Sequence, residues 1–510
     1  MLVSGGVLCV ATLFVTSSHF IEASTRPKWY AGAAACSLLI IVSCFCRRAI
    51  LPPVPWLFGT AVIVCTVLAL RGLVTFIKAP FFDGLYGIRE GFDNPAGFAS
   101  AMCFVFPLTL YFLRKEQQRW VRIGAAVAGL LLVMGIVLSF SRTALMTMCV
   151  ATFFWLYHRR HIRYGYAGIL AFCVCALVAG LYWVKKDSAD GRFLVWSCSW
   201  QMIKQHPLIG YGLHGFMKNY MNFQAAYFKD HPESHFGSLA ADTFRPFNEY
   251  LRVVIDFGFI GLLLLPALVV IIIIKFRQHK TAETTAALTC LTAISVFSLS
   301  SYPLSYPFTW VILGISLFVL FQPEKYVLPS LFRSSFKFVL LSFSLITLYY
   351  TYRQTVAEMQ WCELAHQDGA ITEKELFDGY RRLWPALKND YLFVYNVAAE
   401  LNSHGLYDQS LAIADVGTME CADYDMQLIM ADNYFQLKNY TAGERHYQWA
   451  SYMCPNRFMP LHGLFRLYLA TGQKDRALAM ALLVKNKPIK INSPTVSDIK
   501  AEMLRYLDSR

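Results

Sequence analysis

Long apolar runs alternate with short polar connections over the first two thirds of the chain, after which the pattern changes. A helix needs roughly 20 apolar residues to cross the hydrocarbon core of a bilayer. Runs of that kind cover 2–20, 29–46, 54–76, 95–113, 120–140 and 143–157. They continue at 164–184, 250–274, 284–300, 308–321 and 338–350. The pattern predicts a polytopic membrane helix bundle of about eleven spans within residues 1–352. The first run lacks a basic n-region, so it reads as a membrane anchor rather than a signal peptide.

Charge orients these spans. Alternate connections carry Arg47 and Arg48, then Arg114, Lys115, Arg119 and Arg122, then Arg159, Arg160 and Arg163. The series continues with Lys275, Arg277 and Lys280, and then Lys325, Arg333 and Lys337. Basic residues mark the cytoplasmic side. The N-terminus is therefore expected inside, and everything after Tyr352 outside. One connection on the outer side, 185–247, is far longer than ordinary loops and is expected to be functional.

Residues 353–510 are soluble in character and repeat themselves. Gly405-Leu406-Tyr407, Lys438-Asn439-Tyr440 and Gly472-Gln473-Lys474 mark equivalent turns 33 and then 34 residues apart. Ala414, Tyr447 and Ala481 keep that spacing, as do Pro455 and Pro488. This is the tetratricopeptide period, in which helical hairpins bury their apolar faces by stacking. The fold class is thus all-α, a membrane helix bundle followed by a soluble tetratricopeptide-like α-solenoid. Cys421 and Cys454 occupy equivalent positions in neighbouring repeats. Stacked helices lie roughly 8–10 Å apart, so two unpaired core thiols are expected there.

Composition fits a chain divided between two solvents, with 56% hydrophobic and 15% charged residues among 510. The formal net charge of +13 could point to nucleic acid. Its basic residues instead sit in the short connections, which makes them topology signals and leaves no nucleic-acid partner. Most of the 14 cysteines lie in apolar runs, where Cys acts as a small hydrophobe. No CxxC pair with zinc spacing occurs.

Three outward-facing constellations carry candidate chemistry. The turn Ser139-Phe140-Ser141-Arg142 places an arginine at the membrane edge, either snorkelling or clamping an anion. Gly191-Arg192, Trp196, His206-Pro207, Gly210-Tyr211-Gly212 and Phe216 punctuate the long connection. Phe247-Asn248-Glu249-Tyr250-Leu251, with Asp256, Gly258 and Gly261, sets polar groups at the mouth of an apolar helix. In isolation this last group reads equally as an interfacial cap.

In order and spacing, these motifs resemble the O-antigen ligase and polymerase superfamily, which includes bacterial protein O-oligosaccharyltransferases. Asp93-Asn94-Pro95 resembles that family's usual entry to the fourth span, and the likeness covers roughly residues 80–320. It implies a GT-C-like membrane fold and a metal-independent glycosyltransferase acting on an undecaprenyl-pyrophosphate-linked glycan. Arg142 and Arg192 match the family's two functional arginines, and Asn248 and Tyr250 fall in its Asn-x-Tyr-Leu motif. A guanidinium can hold bidentately the pyrophosphate charge that grows as the glycosidic bond breaks. One position departs from the ligase pattern. Phe247 stands where ligases carry a histidine proposed to activate the acceptor. The general base must then be sought among Glu249, His235 and Asp242, with Glu249 first because it lies in the matching motif. His231 and His235 are four residues apart, as helical zinc ligands would be, but lack a third ligand. No metal and no other cofactor is expected.

The expected activity is transfer of a glycan from its polyprenyl carrier at the periplasmic face of the bacterial inner membrane. The acceptor is a lipid A-core, a protein hydroxyl or another glycan. Polymerisation within the same superfamily is the alternative. An external repeat domain fits a protein acceptor or a protein partner. A transporter would show a matching pair of interrupted spans in its two halves, and the chain has none. A scaffold built only around the repeats would leave Arg142 and Arg192 dispensable.

Overall fold

The computed structural model describes residues 2–45, 53–78, 87–158, 180, 186–321, 330–367, 372–490 and 493–509. The described residues are helical, with no strand among them. Two compact units are formed, and each is interleaved along the chain.

The first unit comprises Met1–Val184, Phe247–Tyr250 and Leu264–Gln367. It contains α1 (Leu2–Phe14), α2 (Arg26–Phe45), α3 (Val54–Lys78), α4 (Pro95–Lys115), α5 (Arg119–Leu138) and α6 (Arg142–His158). It also holds the two ends of α9 (Glu249–Gln278), together with α10 (Ala282–Ser298), α11 (Pro307–Leu320) and α12 (Ser330–His366). All the predicted apolar runs but one coincide with helices; the run 164–184 lies outside the described residues, apart from residue 180. The run 338–350 is the middle of the longer α12. Among the described residues, five helices are long and apolar enough to cross a membrane, namely α2, α3, α4, α5 and α9. Shorter apolar helices accompany them at Gly5–Phe14, Ala282–Ser298 and Pro307–Leu320.

Packing in this unit follows from small residues and aromatic fillers. Phe58, Phe98, Phe104, Phe297 and Phe308 fill its core. Thr109, Thr147 and Thr289 are buried between helices, where small polar side chains allow close approach. α4 is enclosed by its neighbours, whereas α9 presents Leu264, Val269, Val270 and Ile274 outward, as a lipid-facing helix does.

The second unit comprises Lys185–Pro246, Leu251–Leu263 and Asp368–Arg510. The long connection is therefore not a free loop. It folds into α7 (Lys186–Gln205), α8 (Gly215–Asp230) and a 3-10 turn at His235–Ser238. The tail supplies α13 (Glu373–Leu387), α14 (Tyr391–Ser403), α15 (Tyr407–Glu420) and α16 (Tyr424–Gln436). It continues with α17 (Tyr440–Met453), α18 (Met459–Ala470), α19 (Lys474–Asn486) and α20 (Pro494–Asp508). Gly405, Lys438 and Gly472, at the equivalent turns between paired helices, all take a left-handed backbone with φ of 76°, 59° and 74°. Cys421 and Cys454 are buried as separate free thiols.

The connection and the tail share one core. Phe216, Tyr220, Met221, Ala225 and Phe228 of α8 pack with Ala422, Tyr424, Ala450, Met453 and Cys454. Gln224, 1% exposed, stitches the two polar backbones together. Its amide donates to Met453 O at 2.7 Å and Ala241 O at 3.2 Å, while its carbonyl accepts from the Tyr220 hydroxyl at 2.6 Å. Trp449 donates to Asn222 at 3.0 Å, and Lys218 pairs with Glu420 at 3.0 Å.

Candidate functional site

Within the first unit, several helix ends converge on one polar face. Asn94 caps α4, its Oδ1 accepting from Gly97 N at 2.8 Å, and its amide donates to the hydroxyls of Tyr302 and, at 3.0 Å, Tyr306. Tyr306 in turn donates to Asp93 Oδ1 at 2.6 Å. Thr143 and Ser300 share a hydrogen bond of 2.9 Å that joins the start of α6 to the end of α10. Asn248 donates to Leu299 O at 3.0 Å and Tyr250 to Ser295 O at 2.9 Å, pinning the start of α9 to the same end. Glu249 lies between them, 5% exposed, its Oε1 accepting from Leu304 N at 3.0 Å.

Backbone strain gathers on this face. Among the described residues of this unit, the non-glycine residues with left-handed φ are Glu90 (28°), Phe140 (50°) and Phe247 (54°). They lie three residues before Asp93, two before Arg142 and one before Asn248. Each such residue costs about 1–3 kcal/mol and persists where the surroundings over-determine it, which is typical of functional sites.

Arg142 is the first residue of α6, and it is half-buried. A cation at the positive end of a helix dipole is disfavoured. Phe247 offers no proton chemistry; its ring lies 5.6 Å from that of Tyr302. The remaining predicted residues belong to the second unit. Arg192 is half-buried on α7, one helical turn before Trp196, whose indole donates to Pro246 O at 3.0 Å. His235 is exposed, its ring against Phe236 at 3.9 Å. Asp242 faces Asp423 and Asp425 of the tail, and burial, reinforced by the Asp423 charge, pushes its carboxyl up to about 9.

The glycine motifs of the second unit have a structural task. Gly258 adopts φ 65° and ψ −167° in the middle of α9, which breaks the helix ladder there. The groups freed at the break are taken by the segment 207–212. Tyr211 N donates to Ile255 O at 2.9 Å and Gly212 N to Asp256 O at 2.8 Å. In return Pro207 O accepts from Phe259 N at 2.8 Å and Leu208 O from Ile260 N at 3.3 Å. A Cβ on Gly210 would meet Ile255 O at 2.5 Å, and one on Gly258 would overlap the Leu208 carbonyl. Asp256 completes the joint by accepting from Phe216 N at 3.4 Å, at the N-terminus of α8.

Some residues on the polar face had no motif to announce them. Lys28 is 1% exposed, donates to Ser24 O at 2.7 Å and to Gly91 O, and stands 4.9 Å from the Phe92 ring. In the sequence it is a single lysine immediately before the apolar run 29–46. Tyr302 and Tyr306 fall in the short connection between the runs 284–300 and 308–321.

An all-helical, multi-pass membrane protein with a strained, polar helix-end face is the class that this architecture defines. Residues 126–266 match the O-antigen ligase family model, so this stretch of the chain is similar to that family. The matched stretch includes Arg142, Arg192, the 207–212 segment and Asn248–Gly258. The family supports glycosyl transfer of the ligase or polymerase type. No curated protein matches the chain.

Proposed function

We propose that this protein transfers a glycan from an undecaprenyl-pyrophosphate carrier to an acceptor hydroxyl at the periplasmic face of the inner membrane. The observation that carries the reading is Glu249, a buried carboxylate on the same polar face as the Arg142 turn and inside the family-matched stretch. In the reaction, the acceptor oxygen bonds to the anomeric carbon as the bond from that carbon to the pyrophosphate breaks. The acceptor proton passes to Glu249, and undecaprenyl pyrophosphate leaves with the electron pair. Arg142 holds the departing charge bidentately, which makes the transfer itself independent of a metal. Arg192 is the second required arginine.

Asn248 and Tyr250 position Glu249 by anchoring the first turn of α9, and they border the donor. Of the three candidate bases, Glu249 is preferred. Asp242 is engaged with the tail and His235 rests on Phe236. The tail, read as a tetratricopeptide-like domain on the periplasmic side, handles the acceptor or a protein partner. Its shared core with the Arg192-bearing connection supports that reading.

The test compares glycans on lipid A, on proteins and on the polyprenyl carrier, in cells with the intact gene, without it, and with Arg142→Ala. Long chains left on the carrier, with the variant still present in the membrane, are the expected result. Transfer of single units without elongation would instead assign polymerisation. An unchanged profile in all three fractions would overturn the proposal.

A further inference from the structure

Asp242, in the stretch that follows the 3-10 turn, meets the start of α16, where Asp423 and Asp425 lie. One carboxylate oxygen from each of the three lies within 4.8 Å of the others. Asp423 is 3% exposed and caps α16, accepting from Met426 N at 2.7 Å. Asp242 Oδ1 is buried without a hydrogen-bond partner. Like charges gathered out of water are costly unless something compensates them. Arg457 acts on Asp242 and Asp425 and supplies one positive charge, which leaves two negative charges when all three carboxylates are ionised.

A second observation is independent of the carboxylates. Tyr391, the first residue of α14, is 7% exposed and its hydroxyl has no hydrogen-bond partner among the described residues. That hydroxyl lies beside Asp423 but outside good hydrogen-bond geometry, and near Asp242. The buried hydroxyl of Tyr424, next to Asp425, is likewise unsatisfied. An unmet buried polar group costs about 1–3 kcal/mol and calls for a partner.

We propose that Asp242, Asp423 and Asp425 bind a divalent cation of the calcium type, with the Tyr391 hydroxyl directed at the site, and that this ion fastens the motif-bearing connection to the helical tail. All the donors are hard oxygens, which select Ca²⁺ or Mg²⁺ over transition metals. Opposite oxygens in a calcium shell lie about 4.6–5.2 Å apart, and these carboxylates fit within that span. Two positive charges balance the residual two.

The full chain, purified in detergent and stripped with EDTA, is titrated with Tb³⁺ while emission sensitised by tyrosine is recorded. Tyr391 and Tyr424 are close enough to sensitise an ion at the site. The expected result is saturable emission that Ca²⁺ displaces. Asp423→Asn keeps a good helix cap and Asp425→Asn alters an exposed residue; each should weaken binding by at least about tenfold through loss of ligand charge. Emission that never saturates, or that is unchanged in both variants, would overturn the proposal.

Discussion

Gly258 in the kink of α9 is the most informative position for substitution. Its φ of 65° and ψ of −167° lie in a region that is essentially reserved for glycine. Placing alanine there costs about 1–3 kcal/mol in backbone strain. The added Cβ would also overlap the Leu208 carbonyl, so the 207–212 segment must move away. Moving it endangers the four hydrogen bonds to Ile255, Asp256, Phe259 and Ile260. At roughly 1 kcal/mol each, their loss brings the total to about 5–7 kcal/mol. Two controls separate strain from overlap. Gly212 has φ 82° but open space around it, so Gly212→Ala should cost only about 1–2 kcal/mol. Gly191 lies inside α7 with nothing near its Cβ position, and alanine there should stabilise by about 0.5–1 kcal/mol. The assay is the temperature at which half the full-length protein, in detergent, stays monodisperse. The expected order places Gly191→Ala at or above wild type, Gly212→Ala below it and Gly258→Ala far below both. If Gly258→Ala matched Gly212→Ala, the interlock would not hold the kink, and the motif would need another explanation.

Arg142→Lys keeps the charge but loses the planar fork, so transfer should fall by at least about tenfold with membrane abundance unchanged, measured as glycan remaining on the carrier. Gln224→Leu strands the buried carbonyl of Met453 and loses the bond to Ala241 O, costs about 1–3 kcal/mol and should make the 231–246 stretch more sensitive to protease. His446 is held neutral, since burial, with Arg445 nearby, lowers its imidazole to about 4, and its Nδ1 lies 2.7 Å from Gln427 Oε1. The unfolded chain takes up a proton below about pH 6.5 that the folded chain refuses. Stability from this residue is therefore complete above that pH and is lost as pH falls toward 4. His446→Gln should flatten that dependence in pH-resolved melting curves.

Much of the candidate site was visible as separate motifs, and their meaning came from different levels of structure. Asn248, Glu249 and Tyr250 were singled out by spacing. That Asn248 and Tyr250 grip the end of α10 while Glu249 is buried against Leu304 depends on which helix end lies beside them. Pro207, Gly210, Gly212 and Gly258 formed a recognisable pattern, but the pairing of one segment's amides with another's broken helix is a contact between distant positions. Lys28, Tyr302 and Tyr306 gave no local signal, because their importance lies in Gly91, Asp93 and Asn94 across the bundle.

The amino-acid sequence by itself pointed to a helical membrane protein, and its spacing predicted a repeating tail. Hydropathy, charge alternation and a period of 33 to 34 residues are properties of each segment against its solvent, and no partner is needed to read them. Only the tertiary structure decided that residues 185–246 fold with the tail. It also decided that Asp242 meets Asp423 and Asp425. Those outcomes rest on shape-matched apolar faces and on the pairing of buried polar groups, which depend on two surfaces at once and leave no periodic trace along the chain.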